Sequence, residues 1–316
     1  MSVVVASAPG RINLIGEHTD YNGGLALPAA VGLRTRVRLE RAGELSATSS
    51  LGAGRWKPGE AVSGWLRFVE GARAVLEAPP ASVSVESHVP LGAGMSSSAA
   101  LALALLHGFA ALQGRALDDD AAIGLAREVE HRFLGVPCGA LDQTASQCGR
   151  AGHALRIDFE AGTRRLVPAT VPGWAWVVVH SGVRRALADG RYAERVRECA
   201  AGHPARLAHV GAENVRVDLL IAALEARDPQ RIGALLLASH RSLRDDYEVS
   251  CTELDQLVAA ASAFPGCVGA RLMGAGFGGC VLALVRGEQV PDFGARVAPG
   301  PWWSVELGDG ARVEAA

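Results

Sequence analysis

The sequence predicts an α+β fold. Strand-like and helical stretches interleave without the regular βαβ alternation of a doubly wound sheet. The strand-like stretches mostly alternate apolar with polar residues, as half-exposed antiparallel strands do. One long segment is apolar on nearly every face, which requires a helix covered all round. At 316 residues, with 49% apolar and 20% charged, the chain can bury a sizeable core and fits a prior of two domains.

In chain order, residues 3–7 read as a strand, and 31–39 (VGLRTRVRL) alternate apolar with Arg and Thr. Residues 49–60 are glycine-rich and end in Lys57-Pro58-Gly59, so a loop is expected there. Helical spacing returns over 65–76 and stops at Pro79-Pro80, and 83–89 alternate again. Residues 98–113 form the fully covered helix, closed by Gly114, and 118–134 form a second helix. The β-prone run 171–180 (VPGWAWVVVH) follows a Pro/Thr link, which places a domain boundary before it and divides the chain into 1–170 and 171–316. Beyond it, 192–201, 217–226, 229–239 and 251–261 read as helices, and 279–285 as a short apolar strand.

A formal charge of −2 provides no polyanion-seeking surface, so a nucleic-acid partner is not expected. Lys57 is the one lysine among 31 basic residues and precedes Pro58. A Walker lysine and Schiff-base chemistry are therefore both excluded. Residues 1–11 have no signal-peptide pattern, and the dense apolar part of the charge-free stretch 87–114 is too short for a bilayer. Six cysteines (138, 148, 199, 251, 267, 280) show no CxxC or metal spacing, which implies free thiols and a cytoplasmic chain.

Three glycine-rich patches carry the chemistry. Residues 90–100 (PLGAGMSSSAA) join a strand to the covered helix. Gly92 and Gly94 allow backbone N–H groups to approach a ligand, the serines add hydroxyls, and the helix N-terminus adds its dipole, a cradle suited to phosphate. A serine N-cap alone would explain Ser96 or Ser97 but not the whole set. Residues 10–24 (GRINLIGEHTDYNGG) gather Arg11, Glu17, His18, Asp20, Tyr21 and Asn22, hydrogen-bonding groups suited to a neutral polyol such as a sugar, or to a polar loop ending in an Asn-Gly-Gly turn. In 269–279 (GARLMGAGFGG), Gly274, Gly276 and Gly278 allow a close backbone approach or a tight bend.

Two carboxylates stand apart from these patches. Glu128 pairs at i+4 with Arg132 on the wet face, but Glu130 lies on an apolar stripe with Ala126, Phe133 and Leu134 and needs a partner. A divalent cation bridging phosphates and a buried arginine both satisfy it. Asp142 sits in a Gly/Pro-shaped segment (GVPCGALDQ), where an isolated aspartate is often a helix N-cap.

Together, these segments resemble the GHMP small-molecule kinases and, within that family, its galactose-acting branch. Residues 10–24 are similar to the sugar signature nearly residue for residue, 90–100 to the ATP motif and 269–280 to the third motif, and 138–143 and 239–248 resemble further segments. Residues 49–62 are shorter than in typical members, 201–207 are trimmed, and Met95 stands where leucine is usual.

The resemblance implies a ribosomal-S5-like N-terminal domain and a ferredoxin-like C-terminal domain, with the active site between them. It implies transfer from ATP to the C1 hydroxyl of galactose, with Mg²⁺ as cofactor; no membrane partner is expected, and a monomer is expected with an oligomer left open. On the matching positions Asp142 and Arg11 would be catalytic, and Glu17, His18, Asp20, Gly139 and Tyr192 would hold the sugar. Gly92, Ala93, Gly94, Met95, Ser96, Ser97 and Ser98 would cradle the nucleotide, and Ser98 and Glu130 would ligate Mg²⁺. Two alternatives remain: a GHMP kinase for N-acetylgalactosamine, L-arabinose or a uronic acid, and a non-catalytic galactose/ATP sensor.

Overall fold

The computed structural model describes residues 3–135, 139–183 and 190–315. The chain begins with β1 (Val3–Asn13), β2 (Leu25–Ala26), β3 (Pro28–Arg41), β4 (Leu45–Ser49) and β5 (Gly52–Trp56). Then come α1 (Leu66–Val75), β6 (Ala81–Ser87), α2 (Ser97–Leu112), α3 (Asp119–Glu128), α4 (Leu141–Cys148), β7 (His153–Asp158) and β8 (Thr163–Pro168). The second half runs β9 (Trp174–His180), α5 (Arg191–Ala200), α6 (Pro204–Glu225), α7 (Pro229–Asp245), α8 (Thr252–Ala263), β10 (Cys267–Met273), β11 (Cys280–Arg286), α9 (Val290–Val297), β12 (Trp302–Val305) and β13 (Arg312–Val313).

A six-stranded sheet in the order β13-β1-β3-β6-β4-β5 supports the first half, and only β4 and β6 pair in parallel. As its all-round apolar pattern requires, α2 is enclosed by β1 and β3 on one side and by α1, α3 and α4 on the others. A four-stranded antiparallel sheet, β10-β11-β9-β12, supports the second half. Its inner strands are buried on both faces, which explains their unbroken apolar runs. Val178, Leu282 and Leu284 face one core, while Val177, Val281 and Val285 face another with α8 and α9. The first of these cores also contains Ile12, Leu14, Leu27 and Met95, so the two halves share one apolar seam. A small sheet, β2-β7-β8, stands beside it.

After β12 the chain returns to the first half. Gly32 N–H donates to Glu306 O at 2.8 Å, Gly308 N–H donates to Ala30 O at 2.9 Å, and β13 pairs with β1.

Several elements differ from the sequence reading. The expected loop 49–60 contains β5, paired with β4 in a hairpin, and the end of the Leu66 side chain packs where a Cβ on Gly54 would sit. The first strand runs on to Asn13 through a bulge between Pro9 and Arg11. The helix expected over 118–134 splits, with Asp118 capping α3 through Ala121 N–H at 2.8 Å and a π-helical turn following over Val129–Leu134. Asp142 is no N-cap, lying instead inside the first turn of α4. The helix read at 217–226 is the end of the 22-residue α6, whose first half turns the buried polar residues Arg206, His209 and Glu213 inward and so hides its apolar period. Cys148, Cys199, Cys251, Cys267 and Cys280 are thiols rather than disulfides, and Cys138 lies outside the described residues. Among the described residues, no helix is long and apolar enough to cross a membrane.

α7 meets β10 at two facing glycines: a Cβ on Gly233 would overlap the Val268 backbone, and one on Gly269 would overlap the Gly233 backbone. Overpacking of this kind costs about 1–3 kcal/mol. Gly233→Ala should lower the unfolding free energy by about that amount in denaturant titration. Unchanged stability would show that the helix can move off the strand at no cost.

Candidate active site

The bulge in β1 aims Arg11 away from the sheet ladder and toward α4. Its Nε donates to Asp142 Oδ1 at 3.0 Å and its Nη2 to the same oxygen at 2.6 Å. Nη1 donates to Gly94 O, and the Arg11 N–H donates to Met95 O at 3.0 Å. One arginine thus joins the strand, the phosphate-type loop and α4. Gly10 permits the approach, because a Cβ there would lie 2.7 Å from Met95 O. Asp142 stands at the positive end of α4 with its side chain 35% exposed, whereas Arg11 is 7% exposed. The carboxylate is open to a ligand and the guanidinium is held fast.

Gly92 (φ 76°) and Gly94 (φ 67°) take the left-handed conformation in the loop ahead of α2. Ser96 does so as well, at φ 56°, and its Oγ is buried without a hydrogen-bond partner among the described residues. A loop that holds strain and a buried unpartnered hydroxyl above a helix N-terminus has the form of an anion site. Ala93 and Met95 are buried in the core, so Met95 reaches the site only through its backbone. Ser97 opens α2, and Ser98 is exposed on its first turn.

The segment after β1 folds over the other side. Asp20 leads a 3-10 turn, Asp20–Asn22, and Gly139 lies against it so closely that a Cβ would overlap the carboxylate. Gly139 makes room for Asp20. Burial, with the Asp142 carboxylate nearby, pushes the Asp20 pKa up to about 6. His18, at φ 62°, is buried; its Nδ1 meets Tyr21 Oη at 2.8 Å and its ring packs against Tyr192 and Tyr247. Tyr21 Oη in turn meets Tyr247 Oη at 2.8 Å.

Glu17 is almost wholly enclosed. One carboxylate oxygen accepts from Arg271, and the other accepts the Gly274 N–H at 2.8 Å. Burial pushes its pKa up, against the pull of Arg271 and that N–H. Glu130, in the π-helical turn, is also buried and accepts from Gln143 Nε2 at 2.8 Å, which links it to the residue after Asp142.

The structure therefore brings Arg11, Asp142, Asp20, Gly139 and the loop at 92–98 to one place, with His18 and Tyr192 stacked beside them. The sequence motifs include Gln143, Tyr247 and Arg271 without assigning them a role and do not reach His209, Glu213 and Asn214, all of which support these residues. Polar residues inside otherwise apolar stretches, such as Arg271 between Ala270 and Leu272, were the available signal.

Comparison with known proteins identifies the family of the chain. The GHMP kinases N terminal domain matches residues 64–150, and the GHMP kinases C terminal domain matches 220–298. The galactokinase galactose-binding signature matches 2–41. The chain is 39% identical to the galactokinase of Homo sapiens, over 91% of this chain and 85% of that one. It is 33% identical to the galactokinase of Halalkalibacterium halodurans, over 98% and 92%. The crystal structure of Lactococcus lactis galactokinase complexed with galactose superposes with a TM-score of 0.91 at 29% identity, covering 98% of this chain and 95% of that one. The two-domain α+β architecture is that of the GHMP kinases. Within them, the chain belongs to the galactokinase family, whose kinases use ATP as co-substrate.

The Asp20 titration is directly measurable. Side-chain carbon NMR should give a midpoint near about 6, and Asp142→Asn, neutral and nearly isosteric, should lower it part of the way toward 3.8. With the folded pKa above the unfolded one, ionisation of this group costs stability as pH rises through that window. A midpoint unmoved by Asp142→Asn would separate the two carboxylates electrostatically.

Proposed function

We propose that the protein transfers the γ-phosphoryl group of ATP to the C1 hydroxyl of α-D-galactose, giving galactose 1-phosphate and ADP. The observation that carries this reading is the Arg11 bridge, which ties Asp142 to the carbonyl of Gly94 while Asp20 stands beside Asp142 on the sugar-signature side. An acceptor hydroxyl held by that loop would meet a phosphate donor held by the glycine loop across this pair.

Both bonds from Arg11 to Asp142 fall on Oδ1, so Oδ2 is left to accept the C1 hydroxyl proton as general base. Arg11 keeps that carboxylate oriented and places fixed positive charge beside the transferring group, a part the missing Walker lysine cannot play. His18, Asp20 and Tyr192 would hold the sugar, with Gly139 supplying the space that Asp20 needs; Glu17, expected to join them, is enclosed by Arg271 and the Gly274 N–H and would instead fix the loop that carries them. Gly92, Ala93, Gly94, Met95, Ser96, Ser97 and Ser98 would hold the phosphates through backbone N–H groups and hydroxyls. An open cleft lined by Thr35, Ser49, Trp65, Leu91, Ser97 and Leu101 adjoins this loop and is suited to the nucleotide base.

Mg²⁺ is part of the proposal, with Ser98 and Glu130 as its protein ligands. A hydroxyl and a carboxylate are the hard oxygens this ion prefers, and it commonly takes one or two such ligands with the rest from phosphates and water. Among the described residues, no group of three or more His, Cys, Asp and Glu forms a cage, which is consistent with an ion shared with substrate. When bound, it would neutralise phosphate charge. We also take the protein as a cytoplasmic monomer with a domain boundary at 170/171.

Phosphate transfer from ATP to a panel of hexoses, with the product position read by phosphorus NMR, tests the reading. Galactose should be the best acceptor and carry phosphate at C1, and glucose should lag, because an epimer leaves a buried polar partner unpaired. Asp142→Asn should bind galactose and ATP nearly as before while kcat falls about 10²–10⁴-fold. Equal use of the two hexoses would defeat the sugar assignment, and near-full kcat in Asp142→Asn would defeat the base.

A further inference from the structure

The sugar-signature loop contributes side chains to the site, yet much of what fixes its backbone comes from the other half of the chain. Arg271, on β10, has no exposed surface. Its Nη1 donates to Asn13 O at 3.2 Å and to Leu14 O at 3.1 Å, and its Nη2 donates to the Glu17 carboxylate. Gly274, just past the same strand, donates its N–H to the other Glu17 oxygen. From α6, Glu213 accepts the Gly16 N–H at 3.1 Å, His209 Nε2 meets Glu17 O at 3.2 Å, and Asn214 accepts the Leu25 N–H at 2.8 Å.

A fully buried guanidinium is costly to desolvate, and apolar residues of similar volume would commonly replace an ion pair without loss of stability. What apolar residues cannot do is hold two backbone carbonyls and a carboxylate at once in a fixed plane. That is the geometry of the planar, multi-donor guanidinium, and a lysine ammonium cannot reproduce it.

We infer that Arg271 is a positioning residue for the sugar site, acting through Glu17 and the carbonyls of Asn13 and Leu14 to hold the loop in its sugar-binding form. The inference rests on the reading that this loop holds the sugar. Arg271 makes none of the Arg11, Asp142 or Gly94 contacts, so its effect falls on the acceptor side. Loss of its fork should leave the phosphate loop and the catalytic pair in place.

Arg271→Lys keeps a buried positive charge opposite Glu17 but loses the fork; Arg271→Gln is a second, neutral variant in case the first fails to fold. Galactose binding by calorimetry without nucleotide, nucleotide binding, kcat at saturating galactose and the melting temperature would be measured for each. Both variants should bind galactose at least about tenfold more weakly, while nucleotide affinity and kcat stay within about twofold. Amide exchange should quicken at Gly16 and Leu25 but not in α2. Wild-type galactose affinity in either folded variant would overturn the inference alone. So would a loss of galactose affinity, nucleotide affinity and kcat together in step with melting temperature, which marks a purely structural role. A wild-type chain that binds no galactose would overturn both the inference and the functional reading beneath it.

Discussion

The ion pair between Arg11 and Asp142 is the contact on which the rest of the site depends. Arg11 comes from the bulged end of β1 and Asp142 from the first turn of α4, 131 positions apart. Removing either partner would leave the other without its main contact, and removing Arg11 would also leave the loop carbonyl at Gly94 without its donor. The surroundings keep this junction in place. Ser146 Oγ on α4 donates to Pro9 O at 2.6 Å, so the helix is pinned to β1 at the bulge itself. The returning C-terminal segment secures the far end of α4, with Ala311 N–H donating to Ser146 O at 2.9 Å. A carboxylate held this way needs little reorganisation when charge moves, which is how a site without a mobile lysine can favour phosphoryl transfer.

Backbone strain recurs in the glycine-rich patches. The described non-glycine residues with positive φ include His18, Ser96 and Phe277, one in each of the three glycine-rich patches. Each costs on the order of 1–3 kcal/mol and persists only where packing over-determines it. In the shared core, Ile12, Leu14 and Leu27 from the first half lie with Leu236, Met273 and Leu282 from the second, while Phe277 packs against the core of the second half. Sugar loop, phosphate loop and third patch are therefore coupled through one hydrophobic seam. The two halves are not independent carriers of separate subsites.

Much of this was legible in the sequence because the relevant signals are local. The covered helix α2 showed itself in an apolar run, the left-handed loop ahead of it in glycines and serines before a helix start, and the galactokinase-family resemblance in contiguous motifs. What was not legible depends on partners far away in the chain. Glu17 looked like a free acceptor for a polyol, and its arginine lies 254 positions on. The first half of α6 lost its apolar period because the residues it turns inward, Arg206, His209 and Glu213, are polar and satisfied by tertiary partners. Gly52 and Gly54 suggested a loop, yet in place they form a strand whose missing side chain admits Leu66. The π-helical turn that carries Glu130 followed an ordinary helical pattern, which gave no notice of a change in period.

The account claims that Arg11 and Asp142 act as one catalytic unit, and a double-mutant cycle on kcat measures that claim directly. Arg11→Met, Asp142→Asn and the double variant would be compared with wild type at saturating galactose and ATP. The account predicts that the double variant is little slower than the worse single variant, a coupling of at least about 1 kcal/mol within the 0.5–3 kcal/mol seen for residues in contact. Additive losses would show two independent contributions and contradict the central claim.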